Sequence, residues 1–220
     1  MATETVENYL KAIHTLSRES AAGEAAMSRI AVLVGVTTGT ATTMIKKLAA
    51  AKLANYERFG GVKLTAKGTA AALDILRRHR LVETFLVRTL KLDWAVVHAE
   101  AERLEHAISP AVLDALDAHL GRPTVDPHGD PIPDPRGKTR DPGGAPLSTL
   151  TPPAKVRVLR IANQDAAFLT LVARHGLTPG AAAALKSVDA AAQSLTVQAK
   201  GHAPLTLATS AAARIVCETV

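Results

Sequence analysis

Between Gly121 and Pro146 the chain carries Pro123, Pro127, Pro131, Pro133, Pro135, Pro142 and Pro146, with several glycines among them. Each proline fixes φ and removes a backbone donor, so neither a helix nor a central strand can run through this stretch. It reads as a linker. The 220 residues are thereby divided into parts that must each fold on their own apolar pattern. The expected parts are 1–72, 73–121, a Pro/Gly-rich linker at 122–148, and 149–220.

The two sides of the linker differ in period. Before it, apolar residues recur at helical spacing. Val6, Leu10, Ile13 and Leu16 predict a first helix over about 3–20, and Ile30, Leu33 and Val34 a short second one that Gly35 ends. Ala41, Met44, Ile45 and Leu48 give a third helix from Thr37 to about Ala51. Two short strands around Gly60–Gly61 then predict a hairpin. Helix, short helix, glycine turn, helix and hairpin make a winged helix-turn-helix. Thr37, Thr38, Thr40, Thr42 and Thr43 crowd the start of the third helix, followed by Lys46 and Lys47. Helix propensity does not explain five threonines. Short hydroxyl side chains at the start of a recognition helix suit base edges, thymine methyls and phosphates. Arg58 and Lys63 near the hairpin tip add two cations. The expected partner is double-stranded DNA, read by shape and van der Waals contact.

Beyond the hairpin a long helix runs from Lys67 to about Thr89. A further helix carries His98, and another starts at Ser109–Pro110, an N-cap followed by proline at the first helical position. Their apolar faces exceed what a winged helix needs for cover, which predicts a homodimer. After the linker, KVRVLRI, AAALKSV, SLTVQA, PLTLA and ARIVCE read as short strands around one helix, DAAFLTLVARHGL. That pattern predicts a small SH3-like barrel. The fold class expected is mainly α, with a winged helix-turn-helix, a helical dimerisation domain and a C-terminal SH3-like barrel.

The net charge of +6 suits a polyanionic partner. Cys217 is the one cysteine, which excludes an intramolecular disulfide and a thiolate-rich zinc site. The N-terminus lacks a basic start followed by an apolar core, and no apolar run approaches a membrane span. A cytoplasmic protein with no membrane partner is expected.

The chemistry concentrates between His79 and His106. His79 and Glu83 stand at i and i+4, so they share a helix face. His98, Glu102, Glu105 and His106 share another. Imidazoles and carboxylates gathered this way make a mixed nitrogen–oxygen site for a divalent transition metal. Glutamate and histidine on a helix face are often merely solvated, but six on two successive helices favour metal binding. His14, His119, His175 and His202 have no comparable neighbours and read as surface or packing residues.

ENYLKAIHTL, RRHRLVETFL, VHAEAERLEHAIS and the linker segment PHGDPIP together resemble the diphtheria-toxin-repressor family in its three-domain form, closer to its manganese-responsive branch. The resemblance covers essentially the whole chain. It implies a cytoplasmic, dimeric transcriptional repressor on palindromic operator DNA, with Mn(II) or Fe(II) as corepressor. It implies a primary metal site from Asn8, His79, Glu102, Glu105 and His106. The ancillary site would use Glu83 and His98, with Asp126 and His128 from the linker and Asp165, or alternatively Gln164, from the third domain. Iron-responsive members carry cysteine where Glu102 stands, and the harder oxygen favours Mn(II), with Fe(II) second. Asn8 stands where manganese-responsive members tend to carry aspartate, and Lys11 replaces a second carboxylate of the two-domain sensors. Two ions per subunit are expected.

The implied switch is one of linkage: metal fixes the winged helices relative to the dimer axis, so that two recognition helices meet successive major grooves. Two rival readings are a winged-helix regulator of an organic ligand and a metalloenzyme using the His/Glu cluster. The second needs a positioned acid, base or nucleophile. The sequence supplies none beyond the ligands, so no enzyme is expected.

Overall fold

The structure, a computed structural model, describes residues 3–57, 60–162 and 165–220. It comprises two compact units, one reaching Arg78 and including Pro133–Lys138, the other made of His79–Ile132 and Thr139–Val220.

In the first unit, Thr3 caps helix α1 (Glu4–Glu19) by accepting from Val6 N. The buried stripe Tyr9, Leu10, Ile13 and Leu16 follows helical spacing. Helices α2 (Met27–Leu33) and α3 (Thr38–Ala50) form the helix-turn-helix. The turn between them depends on Gly35, whose φ of +70° is open to glycine at little cost. Strands β1 (Ala54–Tyr56) and β2 (Val62–Leu64) pair antiparallel as the wing, and Ala25 adds a bridge to Val62. Leu10, Ile13, Ile30, Ala41, Ile45, Leu48, Val62 and Ile75 make a single core. Full burial of each large aliphatic side chain contributes about 1.5–3 kcal/mol.

Helix α4 (Ala66–Arg88) starts in this unit and ends in the second. There, Val82 and Leu86 pack with Val97 and Ala101 of α5 (Val97–Leu104). Leu81 packs with Leu113 of α6 (Pro110–His119) and with Ile132 of the linker. Ser109 caps α6 with proline at its first turn. Helix α5 is shorter than its sequence pattern, which continues to His106. A tighter bond from Ala107 N to Leu104 O closes its end. Glu105 nevertheless keeps helical dihedrals, φ −56° and ψ −32°, and so stays on the same face.

The C-terminal part is an antiparallel sheet in the order β3-β8-β4-β5-β6-β7. Its strands are β3 (Ala145–Pro146), β4 (Ala154–Ile161), β5 (Ala182–Asp189), β6 (Ser194–Ala199), β7 (Leu205–Ala208) and β8 (Ile215–Thr219). Helix α7 (Ala166–Arg174) and the short α8 (Thr209–Ala212) complete it. Irregularities of register at Val158/Arg160 and Leu185/Ser187 bend the sheet, as bulges do. Strand β3 comes from the end of the Pro/Gly-rich stretch and lies at the sheet edge, where proline is tolerated. The alanine-rich β5 is a poor strand by propensity, yet it pairs on both sides with β4 and β6. Trp94 and Ala95, from the turn before α5, join the core of this sheet.

Candidate metal centre

Glu83 on α4 is fully buried, and three imidazoles face it. Its Oε1 lies 3.0 Å from His79 Nε2 and 3.1 Å from His98 Nδ1, and the two nitrogens are 3.0 Å apart. Two N–H groups can both donate to one oxygen only by crowding side by side. Three lone pairs converging on one cation give three edges of this length at once. Bonds of about 2.1 Å at right angles span about 3 Å, whereas tetrahedral ones span about 3.4 Å. The observed edges therefore fit a six-coordinate cation. Burial alone would push the Glu83 carboxyl up, but His128, His79 and His98 hold it well below the usual carboxylate range.

The linker contributes the third imidazole. His128 is fully buried, and its Nε2–H donates to the Trp94 carbonyl at 2.8 Å. A carbonyl only accepts, so in the neutral ring the lone pair sits on Nδ1. That Nδ1 is 3.7 Å from Glu83 Oε2, and neither atom has a hydrogen-bond partner among the described residues. Two buried acceptors facing each other are unfavourable without a proton or cation between them. Burial pushes His128 down, but Glu83, Asp126 and the Trp94 carbonyl outweigh it and raise it above the ordinary histidine value. Asp126 Oδ1 accepts from His128 N at 2.8 Å and Asp130 N at 3.0 Å, which closes the turn. Arg80 lies against this turn, with Nε 3.7 Å from Asp126 Oδ2. Burial, reinforced by the charges of Asp130 and Glu83, pushes Asp126 up to about 7, against the pull of Arg80 and His128.

A second group shares His79. Its Nδ1 lies 2.5 Å from Glu105 Oε2 and 3.9 Å from Glu102 Oε1. Glu102 Oε1 is also 3.5 Å from His98 Nε2, and Glu105 Oε1 is 3.4 Å from His106 Nε2. Three clusters result: His79–Glu83–His98, His79–Glu102–Glu105 and Glu83–Asp126–His128. His79 thus presents one nitrogen to each of two carboxylate groups, joining Glu83, with which helical spacing had paired it, and Glu105, with which the family resemblance had grouped it. Asn8 belongs to the first unit, and its Oδ1 is buried there without a hydrogen-bond partner among the described residues. Asp165 caps α7, accepting from Phe168 N at 2.8 Å, and joins none of the three clusters among the described residues. Gln164 lies outside the described residues. Sequence spacing pointed to neither Trp94 nor Arg80; the available signals were the single tryptophan and an arginine next to His79.

On the helix-turn-helix, Thr37 caps α3, its Oγ1 accepting from Thr40 N at 3.2 Å. Thr42 and Thr43 donate their hydroxyl protons to Thr38 O and Gly39 O at 2.7 and 3.1 Å. These bonds occupy the donors and leave methyls and oxygen lone pairs for a partner. Thr38, Thr40, Lys46 and Lys47 are exposed. Lys63 on the wing pairs with Glu24 at 2.9 Å, both partly exposed, a contact worth little that a phosphate can replace. Arg58 lies outside the described residues.

A winged helix-turn-helix followed by a largely buried His/carboxylate cluster that could hold a metal, and by a small antiparallel sheet, defines a winged-helix protein with a candidate metal centre. Residues 1–62 match "Iron dependent repressor, N-terminal DNA binding domain", 65–134 match "Iron dependent repressor, metal binding and dimerisation domain", and 145–219 match the FeoA domain. The chain belongs to the iron-dependent repressor family, whose members are transcriptional repressors. It is 36% identical over 130 residues to the iron-dependent repressor IdeR of Mycobacterium tuberculosis, covering 59% of this chain and 56% of the relative. It is 33% identical over 130 residues to the diphtheria toxin repressor of Corynebacterium jeikeium, covering 59% of this chain and 53% of the relative. The aligned part of the chain thus spans about half the length of these relatives. A solved structure described as a manganese-dependent transcriptional repressor complex with manganese superposes with a TM-score of 0.90 at 35% identity, covering 98% of this chain and all of that one. No helix among the described residues is long and apolar enough to cross a membrane.

Proposed function

We propose that the chain is a divalent-metal-dependent repressor that binds double-stranded operator DNA as a homodimer, with Mn(II) preferred to Fe(II) and two ions per subunit. The observation that carries this reading is the triangle of Glu83 Oε1, His79 Nε2 and His98 Nδ1, with edges of 3.0–3.1 Å, Glu83 and His79 being buried and His98 half-buried. The bound cation supplies the positive charge that these ionised carboxylates and imidazole lone pairs lack.

The contacts of His79 support a division of the donors into two groups. With Nδ1–H donating to Glu105, the Nε2 lone pair is directed to the Glu83–His98 group, and Glu105 orients the ring. Asp126 and His128 would complete that group. Glu102, Glu105 and His106 form the other; Asn8, which the family resemblance adds to it, lies in the first unit. Asp165 remains a weaker candidate, because capping α7 already engages its carboxylate. All these donors are nitrogen or oxygen. The Cys217 thiol is buried in the sheet core and pushed up to about 12, so it offers no thiolate. Such a donor set suits Mn(II). Leu90, Val96, Leu104 and Val112 are large apolar residues exposed on the helical region, which suits cover by a second copy.

Metal uptake should release protons. Asp126, pushed up to about 7, holds a proton near neutrality that a cation must displace, and at His128, raised above the ordinary histidine value, a proton competes with a cation in the same way. Affinity for Mn(II) is therefore expected to fall as pH drops from 8 to 6. Calorimetry in buffers of different ionisation enthalpy reads the released protons directly. Replacing Lys46 or Lys47 with alanine should weaken DNA binding across sequences and reduce the salt slope by about one unit each.

The function is tested by selecting duplexes from a random library with the Mn(II)-loaded chain, then titrating the selected duplex under chelator, Mn(II) and Fe(II). Tighter binding with metal is expected; equal affinity under all three conditions rejects the proposal. A regulator of an organic ligand would show that indifference.

A further inference from the structure

We propose that Trp94 is a positioning residue for His128 and, through it, ties the C-terminal sheet to the metal centre; this deepens the metal-dependent reading and rests on it. His128 sits in a linker turn, a poor place from which to aim a ligand unless neighbours fix it. Here it is fixed from three sides. Its Nε2–H donates to the Trp94 carbonyl at 2.8 Å. Its ring stacks on the indole, with centroids 5.4 Å apart and planes 22° from parallel. Its own carbonyl accepts from Ile161 N, at the end of β4, at 2.9 Å. The next residue, Gly129, has φ +88°, and a Cβ there would lie 2.1 Å from Leu159 O, so the turn is pressed against β4. These restraints leave one direction for Nδ1, toward Glu83 Oε2.

Trp94 is held in turn. Asp93 Oδ1 accepts from Ala95 N at 2.8 Å, shaping the turn before α5. The indole packs against the sheet core that includes Leu147, Val158, Ile161 and Leu169. One residue thus fixes the tautomer of a ligand candidate, sets its ring plane and joins the core of the C-terminal part. Loosening the sheet around Trp94 lowers the fraction of molecules in which His128 is aimed. Apparent metal affinity falls by that same fraction.

The test uses the full chain with Trp94→Leu, which keeps an apolar side chain in the core, and Trp94→Phe, which keeps an aromatic face. Mn(II) binding is followed by the resonance signal of free Mn(II), and the His128 tautomer by nitrogen chemical shifts in the metal-free protein. Trp94→Leu is expected to weaken one class of site about 10–100-fold, the range for residues that orient a metal ligand. Trp94→Phe should recover most of that loss, and His128→Ala added to Trp94→Leu should cost no more than His128→Ala alone. Wild-type affinity in Trp94→Leu, or additive losses in the double variant, overturns the inference while leaving the metal reading intact. A wild-type His128 protonated on Nδ1 rather than Nε2 overturns it without reference to metal. A wild-type chain that binds no Mn(II) overturns both.

Discussion

Replacing Glu83 with alanine should lower Mn(II) affinity at one site by more than about 100-fold, beyond the range expected for residues that only orient a ligand. Among the described residues Glu83 faces His79, His98 and His128 together, so its removal takes one carboxylate from each of them at once. Glu83→Gln is the informative companion, because it keeps the volume and one oxygen and loses the charge. It should lose most of the affinity as well if charge is what the cation requires. At pH below the ordinary histidine value, where His128 carries a second proton facing Glu83, metal-free stability should also change, by about 1–3 kcal/mol for a buried donor left without its acceptor. The pH window follows from the direction of each shift. Glu83 is depressed on folding, so its contribution is present above its unfolded value and lost as pH falls through the folded one. His128 is raised, so its contribution is present below its unfolded value and lost as pH rises through the folded one. Denaturation of chelated wild type and Glu83→Ala should therefore differ most between about pH 4.5 and 6.5, the ordinary values of the two groups.

Changing Glu105 and His106 together to alanine should abolish metal activation of DNA binding while leaving the winged helix folded. Glu105 is fully buried and meets both His79 Nδ1 and His106 Nε2. Its loss removes a ligand candidate and releases the proton on His79 Nδ1 that directs Nε2 elsewhere. At saturating Mn(II) the double variant should bind the selected duplex as the chelated wild type does. That is a loss on the order of 10–100-fold, within the usual range of coupling between two sites. Unchanged affinity under chelator, together with an unchanged far-ultraviolet spectrum, would place the effect in the switch rather than in the fold.

Much of this was legible in the sequence because local rules act locally. Thr37 before an Ala/Ile/Leu stripe signals the start of α3, and Ser109–Pro110 signals the start of α6. The i, i+4 spacing of His79 and Glu83 does put them within 3.0 Å on one helix face. What the spacing could not show is which nitrogen of His79 faces which carboxylate. That depends on where α5 crosses α4, a tertiary matter. The back-bonded hydroxyls of Thr42 and Thr43 are likewise invisible in composition. They explain how a threonine-rich helix start tolerates its propensity, and they shift expected DNA contacts toward methyls and lone pairs. Asp165 shows the opposite problem. A carboxylate ahead of an apolar run is equally a cap and a ligand by sequence, and here the cap is the observed contact. Trp94 escaped notice because its partner, His128, lies 34 residues away across the linker.

The central claim is that metal and operator binding are one linked equilibrium. The most direct test measures the Mn(II) affinity of the same chain with and without saturating selected duplex. Linkage requires the factor by which DNA tightens Mn(II) to equal the factor by which Mn(II) tightens DNA. Equal factors clearly above one are the predicted result. Mn(II) affinity that is unchanged by DNA would contradict the account.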